Sequence, residues 1–287
     1  MLADSGHRVH EEALRAQNRF AQYFIMSKRV RLTRIAQILV AAGKGVRAGG
    51  GALPKQYQAI GGKAVLRHTI EATLAEPRIT ETIVVVAKND PHIAAVIADL
   101  DNIRTVTGGA TRTDSVKAGL SALQDNPPDL VLIHDGARPF VTSSLIGGVI
   151  DALASHPAAV PALAITDALK SLGGQSVDRE QLRRVQTPQG FHYDKIWAAF
   201  TALAEGASFA DDIEVAHTAG LEIAFTQGDE NNFKVTYSED FAKAEAMLMT
   251  DTYIATGTGF DVHRYTCLLY TSPSPRDATL SRMPSSA

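Results

Sequence analysis

Short apolar runs alternate with longer segments of helical spacing along most of this chain, beginning at Ile35. Ile35–Ala41, Thr82–Ala87, Asn102–Thr107, Leu130–Ile133 and Ala158–Ala164 predict strands, and their apolar character suits a sheet covered on both faces. Val65–Leu74, Pro91–Leu100, Thr113–Leu123 and Leu145–Ala154 predict helices, the second opening on proline. This alternation predicts an α/β fold: a Rossmann-like, mostly parallel sheet with helices on both faces. Ligands of such sheets bind beyond the carboxyl ends of the strands. The glycine-rich turn after Ala41, Gly108-Gly109 and the turn His134–Pro139 all fall at such ends, so they are expected to converge on one crevice.

The rhythm breaks between residues 166 and 189. Gly173-Gly174 predicts a hairpin turn, with Arg179, Arg183 and Arg184 after it. This stretch reads as an arm outside the main sheet, suited to dimerisation or to covering a site. Asp194–Leu203, Ile213–Ala219 and Ser238–Met249 then predict helices, and Ile223–Gln227 a strand. Asp211-Asp212 and Ser238-Glu239-Asp240 put acidic residues at helix starts, where the dipole favours them. Residues 1–34 read as an N-terminal extension with a basic run at Lys28, Arg29, Arg31 and Arg34 and no apolar h-region. Residues 35–250 read as the principal domain. Residues 251–265 read as a linker and the first strand of a further domain. Residues 266–287, rich in Ser, Pro and Arg without periodicity, read as a tail that completes no core.

Composition narrows the function more than the fold. The 287 residues are 45% hydrophobic and 21% charged, with a formal net charge of -3, so no overall basic field draws the chain to nucleic acid or an anionic membrane. One cysteine, Cys267, excludes an intramolecular disulfide and a Cys-rich zinc site. No apolar run is long enough to span a bilayer, and a cytoplasmic enzyme or binding protein is the expectation. An anion site must therefore be a local cluster.

The first strand runs into such a cluster. Ala41-Ala42-Gly43-Lys44-Gly45-Val46-Arg47, then Pro54-Lys55-Gln56-Tyr57, brings three cations to a glycine-rich turn. Glycine lets backbone N–H groups approach a ligand, and the cations suit a polyphosphate. Gly43-x-Gly45-x-x-Ala48 also matches the dinucleotide fingerprint, but no acidic residue stands near Gly61–Val65, where the ribose would need one. A P-loop is excluded, because no Gly-Lys-Ser/Thr follows the turn. Asp135 ends an apolar strand, where a carboxylate holds Mg²⁺ or a hydroxyl, or caps its own turn. Asp261-x-His263 offers two metal ligands where at least three are needed.

Six blocks in order carry a resemblance. They are Ala41-Ala42-Gly43-x-Gly45-x-Arg47, Pro54-Lys55-Gln56-Tyr57, Gly108-Gly109-x-x-Arg112-x-Asp114-Ser115-Val116, His134-Asp135-x-Ala137-Arg138-Pro139, Thr187-Pro188-Gln189 and Phe233-Lys234-Val235-Thr236. Together they resemble the 2-C-methyl-D-erythritol 4-phosphate cytidylyltransferases from about Ile35 to Thr250. The resemblance implies transfer of a cytidylyl group from CTP to methylerythritol phosphate, with release of pyrophosphate, in non-mevalonate isoprenoid synthesis. It implies catalytic roles for Arg47, Lys55 and Lys234. It implies nucleotide binding by Ala41, Ala42, Gly43, Gly45, Gly109, Arg112 and Ser115. Substrate binding falls to Asp135, Arg138, Asp167 and Arg179, the last reaching into the partner subunit of a homodimer. Asp135 would also assist a region holding Mg²⁺ or another divalent cation. Two departures stand out: Ala168 follows Asp167 where the family often has Thr, and Ala48–Ala52 inserts small residues between Arg47 and Pro54.

Gly257-x-Gly259-Phe260-Asp261-Val262-His263 resembles the opening of 2-C-methyl-D-erythritol 2,4-cyclodiphosphate synthase, with Asp261 and His263 as vestigial ligands of an incomplete zinc site. The chain is thus expected to be a fragment of a bifunctional enzyme without synthase activity. The alternatives are a nucleotidyltransferase for another sugar or polyol phosphate, and a disabled nucleotide-binding module.

Overall fold

The computed structural model describes residues 33–43 and 53–249. These lie in the first of two units into which the chain divides, Met1–Met249. The expected site residues Gly45, Arg47, Asp261 and His263, and the readings of the two termini, fall outside the described residues.

Five strands follow the predicted alternation: β1 (Ile35–Val40), β4 (Ile79–Val86), β5 (Ile103–Thr107), β6 (Leu130–Asp135) and β7 (Ala158–Ala164), with β2 (Ala59–Ile60) and β3 (Lys63–Ala64) forming a small hairpin between β1 and β4. Later come β8 (Leu169–Lys170), β9 (Ser176–Val177), β10 (Arg183–Val185), β11 (Gln189–His192) and β12 (Ile223–Gln227). The main sheet runs β10-β7-β11-β6-β1-β4-β5, with β12 also on β7. β1 is central and parallel to both β4 and β6.

Alternate side chains of each central strand go to opposite layers. On one face Ile38, Val85 and Ile133 meet Val116 and Leu120 of α3 (Arg112–Ser121), Ile196 and Phe200 of α5 (Tyr193–Thr201), and Ile213 of α6 (Asp212–Thr218). On the other, Leu39 and Val84 meet Leu66 and Ile70 of α1 (Val65–Leu74), and Leu132 meets Ile146 and Val149 of α4 (Ser143–Ala152). Both faces of the strands are therefore dry, which is why they read as nearly continuous apolar runs.

Three features depart from the sequence reading. The helix expected over Pro91–Leu100 is α2, only Ile93–Ile97, because Asp90 accepts from the amides of His92 and Ile93 and delays its start. β11, unrecognised in the sequence, inserts antiparallel between β6 and β7. The arm is present but small: β8 and β9 pair through the Gly173-Gly174 turn, and β10 returns to β7. The last helix, α7, spans Ser238–Met249 as expected.

Candidate active site

The predicted convergence occurs at the carboxyl end of β1. A cleft of about 630 Å³ opens there, lined by Ala41, Ala42, Gly43, Lys55, Gly109, Arg112, Ser115, Asp135 and Lys234, among others. That volume suits a nucleotide-sized ligand.

Backbone geometry shapes its floor. Gln56, on the short helical turn Lys55–Tyr57, donates to the carbonyls of Ala41 (2.8 Å) and Gly43 (2.9 Å), clamping the described start of the glycine-rich turn. A side chain at Gly108 would place its Cβ 2.7 Å from both Ala42 Cβ and Ser115 Oγ, so the two loops meet only because this position lacks one. Thr111 caps α3, its hydroxyl accepting from the Asp114 amide while Asp114 accepts from the Thr111 amide. Ser115 Oγ donates to the Thr111 carbonyl and accepts from the Gly109 amide.

The wall is electrostatic. The buried carboxylate of Asp135 faces Lys234 Nζ at 3.0 Å, Arg138 Nε at 3.4 Å and Arg112 Nε at 3.7 Å. Burial alone pushes this carboxyl up, but Lys234, Arg112 and Arg138 together hold it well below the usual carboxylate range. Lys55 Nζ donates to the Val235 carbonyl at 2.8 Å, which sets it against the Lys234 segment from 180 residues away in sequence. Arg112 forks onto Asp212, with N–O distances of 2.7 and 2.9 Å.

Behind Asp135 lies a buried polar network. The Asp135 amide donates to Thr187 Oγ1 (3.1 Å), and that hydroxyl pairs with His134 Nδ1 (2.9 Å). Asn232 Nδ2 donates to the Thr187 carbonyl, and the Asn232 carbonyl accepts from Arg138. Burial pushes the His134 imidazole down to about 4, so it is neutral at physiological pH.

Most described candidates thus meet. Arg138 stands beside Asp135, outside the cleft lining. Asp167 and Arg179 do not enter this cleft; both are exposed on the arm, where Arg179 donates to the Thr166 carbonyl. Asp212 and Asn232 lie outside the motif blocks, and Gln56 stands inside one without an assigned role. Asp212 left a trace in the Asp211-Asp212 pair at a helix start; buried amides such as Asn232 leave none.

The divalent-cation region expected at Asp135 has no all-protein metal cage: among the described residues no group of three His, Cys, Asp or Glu is placed to hold a metal ion. Asp135 itself is surrounded by cations. Three cations around one carboxylate leave net positive charge at this wall, so these residues do not by themselves fit a resident Mg²⁺.

Fold and cleft define the class: a Rossmann-like α/β protein with a cation-lined cleft at the carboxyl ends of its parallel strands. The family model described as 2-C-methyl-D-erythritol 4-phosphate cytidylyltransferase matches residues 35–250. The chain belongs to that family. It is 47% identical over 237 residues to the bifunctional enzyme IspD/IspF of Maricaulis maris, covering 80% of this chain and 61% of that protein. The chain spans about three fifths of the length of the curated relatives it matches. The crystal structure of 4-diphosphocytidyl-2C-methyl-D-erythritol synthase from Anaerococcus prevotii is similar at 31% identity and a TM-score of 0.68, over 77% of this chain and 98% of that one. The 2-C-methyl-D-erythritol 4-phosphate cytidylyltransferase of Thermus thermophilus is similar at 32% identity and a TM-score of 0.61, over 74% of this chain and 97% of that one.

Proposed function

We propose that the chain transfers a cytidylyl group from CTP to 2-C-methyl-D-erythritol 4-phosphate, releasing pyrophosphate. The observation that carries this reading is the meeting of Lys55, Lys234 and Arg112 in one cleft, within a chain of this family. The substrate phosphate attacks the α-phosphate of CTP in line, its oxygen forms the new P–O bond, and the bond to pyrophosphate breaks. The attacking phosphate is already ionised, so no general base is required. Two anions must meet, and the catalytic problem is positioning and charge neutralisation. Lys55 and Lys234 supply compact positive charge to the pentacoordinate phosphorus, with Arg47 as a third cation. Ala41, Ala42, Gly43, Gly45, Gly109 and Ser115 hold the nucleotide by backbone and hydroxyl contacts. Asp135 and Arg138 receive the methylerythritol phosphate. The divalent cation arrives on the CTP phosphates as part of the substrate, the usual habit of Mg²⁺.

The active form in this reading is a homodimer. The arm supports it, since Leu172, Val177, Leu182 and Val185 are exposed there, and the same arm carries Arg179 and Asp167 outside their own cleft.

Pyrophosphate release measured with CTP, Mg²⁺ and methylerythritol phosphate tests the reading. Lys55→Ala and Lys234→Ala should each lower kcat by roughly 100- to 1000-fold. Turnover that is independent of methylerythritol phosphate, or wild-type rates equal to those of both variants, would refute it.

A further inference from the structure

Asp212 is a buried carboxylate behind the cleft wall, outside the lining itself, and the transfer mechanism gives it no task. It is 1% exposed, whereas the Arg112 side chain it grips is 24% exposed and lines the cleft. The grip is end-on, from both terminal guanidinium nitrogens to both carboxylate oxygens. It leaves Nε–H and one N–H on each terminal nitrogen, three donors in all. Nε faces Asp135 at 3.7 Å.

Both partners are anchored to rigid elements. Arg112 is the first residue of α3, directly after its Thr111 cap. The amides of Asp212 and Ile213 both donate to Gln189 Oε1 at 3.0 Å. Gln189 opens β11, in register with Ile133 on the strand that carries Asp135. A pair serving stability alone has no need of this asymmetry, and a buried ion pair is in any case weak as a source of stability.

We propose that Asp212 is a positioning residue for nucleotide binding: it holds the Arg112 guanidinium so that the remaining N–H groups of its terminal nitrogens face the triphosphate. The proposal deepens, and rests on, the cytidylyltransferase reading of this cleft. A simple charge argument gives the opposite sign. Removing a negative charge beside a polyphosphate strengthens its binding, whereas releasing a pre-organised guanidinium into many rotamers weakens it.

Calorimetry on the full chain, with CTP and separately with inorganic tripolyphosphate, decides between them. Asp212→Asn should weaken both ligands by about tenfold or more, the worth of a charge-assisted hydrogen bond. Arg112→Met should do the same, and Asp212→Asn added to Arg112→Met should change nothing further. Unchanged or tighter binding in Asp212→Asn overturns the proposal. So does an equal loss in the Arg112→Met background, or failure of wild type to bind either probe. If circular dichroism shows Asp212→Asn unfolded, Arg112→Lys replaces it, since lysine keeps the charge and loses the fork. A tenfold loss is again expected, and wild-type affinity overturns the proposal. Tripolyphosphate binding without CTP turnover would refute the cytidylyltransferase reading alone and leave the Asp212 comparison in force.

Discussion

Asp135 and His134 are neighbours with opposite electrostatic solutions. Asp135 keeps its charge because three cations outweigh its burial. His134 loses its charge because burial outweighs Asp135, and its ring nitrogen pairs with the Thr187 hydroxyl instead. The linkage follows. His134 titrates near 6.5 unfolded and about 4 folded, so the unfolded chain binds more protons between those values, and stability falls as pH drops through that window. Asp135, held low in the fold, adds its own loss below about pH 4, where the unfolded carboxyl protonates. Denaturant titrations from pH 7 to 4.5 should show a loss of up to about 3 kcal/mol attributable to His134. His134→Gln should be less stable at pH 7 yet flatter across the window; a slope unchanged from wild type would show that another group is responsible.

β11 shows how an element can be invisible in sequence and indispensable in the fold. Its four residues, Gln189–His192, include a glycine and two polar side chains, so neither period nor propensity marks a central strand. Gly190 is there because a Cβ would lie 2.6 Å from Val149 Cγ1 and 2.9 Å from Leu153 Cδ1, where α4 packs on the sheet. Gly190→Ala should cost about 1–3 kcal/mol by overpacking, seen as a lower denaturant midpoint with an unchanged m-value. A midpoint equal to wild type would mean that α4 gives way freely. The same strand carries Gln189, which anchors Asp212, so an element missed in the sequence conceals a site contact as well.

The arm bears on assembly. Its apolar side chains stay exposed in the protomer, Leu172 fully so. In the dimer reading, Leu172→Asp with Leu182→Asp should convert a dimer to a monomer in light scattering at micromolar concentration, while the circular dichroism spectrum holds. A wild-type monomer would remove the proposed role of Arg179 across subunits. Among the described residues no helix is long and apolar enough to cross a membrane. The matched region 35–250 accounts for the sheet and cleft, and the curated relatives extend well beyond what this chain spans.

What could be read in the chain was whatever obeys a local rule. Strand runs, helical spacing, glycine turns and the lysine of Pro54–Tyr57 are local, because they reflect how each residue meets its immediate backbone and one apolar layer. From these came the α/β class, and the crevice at the strand ends. Other features depend on residues distant in sequence, and only packing brings those together. Lys234 beside Asp135, Arg112 forked onto Asp212 and Thr187 between His134 and the Asp135 amide are contacts over 99, 100 and 53 residues. Their partners are buried polar groups whose cost is met only by finding each other. No spacing rule encodes such a match, so the motifs could name most of the cleft's charges but not Asp212 or Asn232, nor the anchoring roles of Gln56 and Gln189.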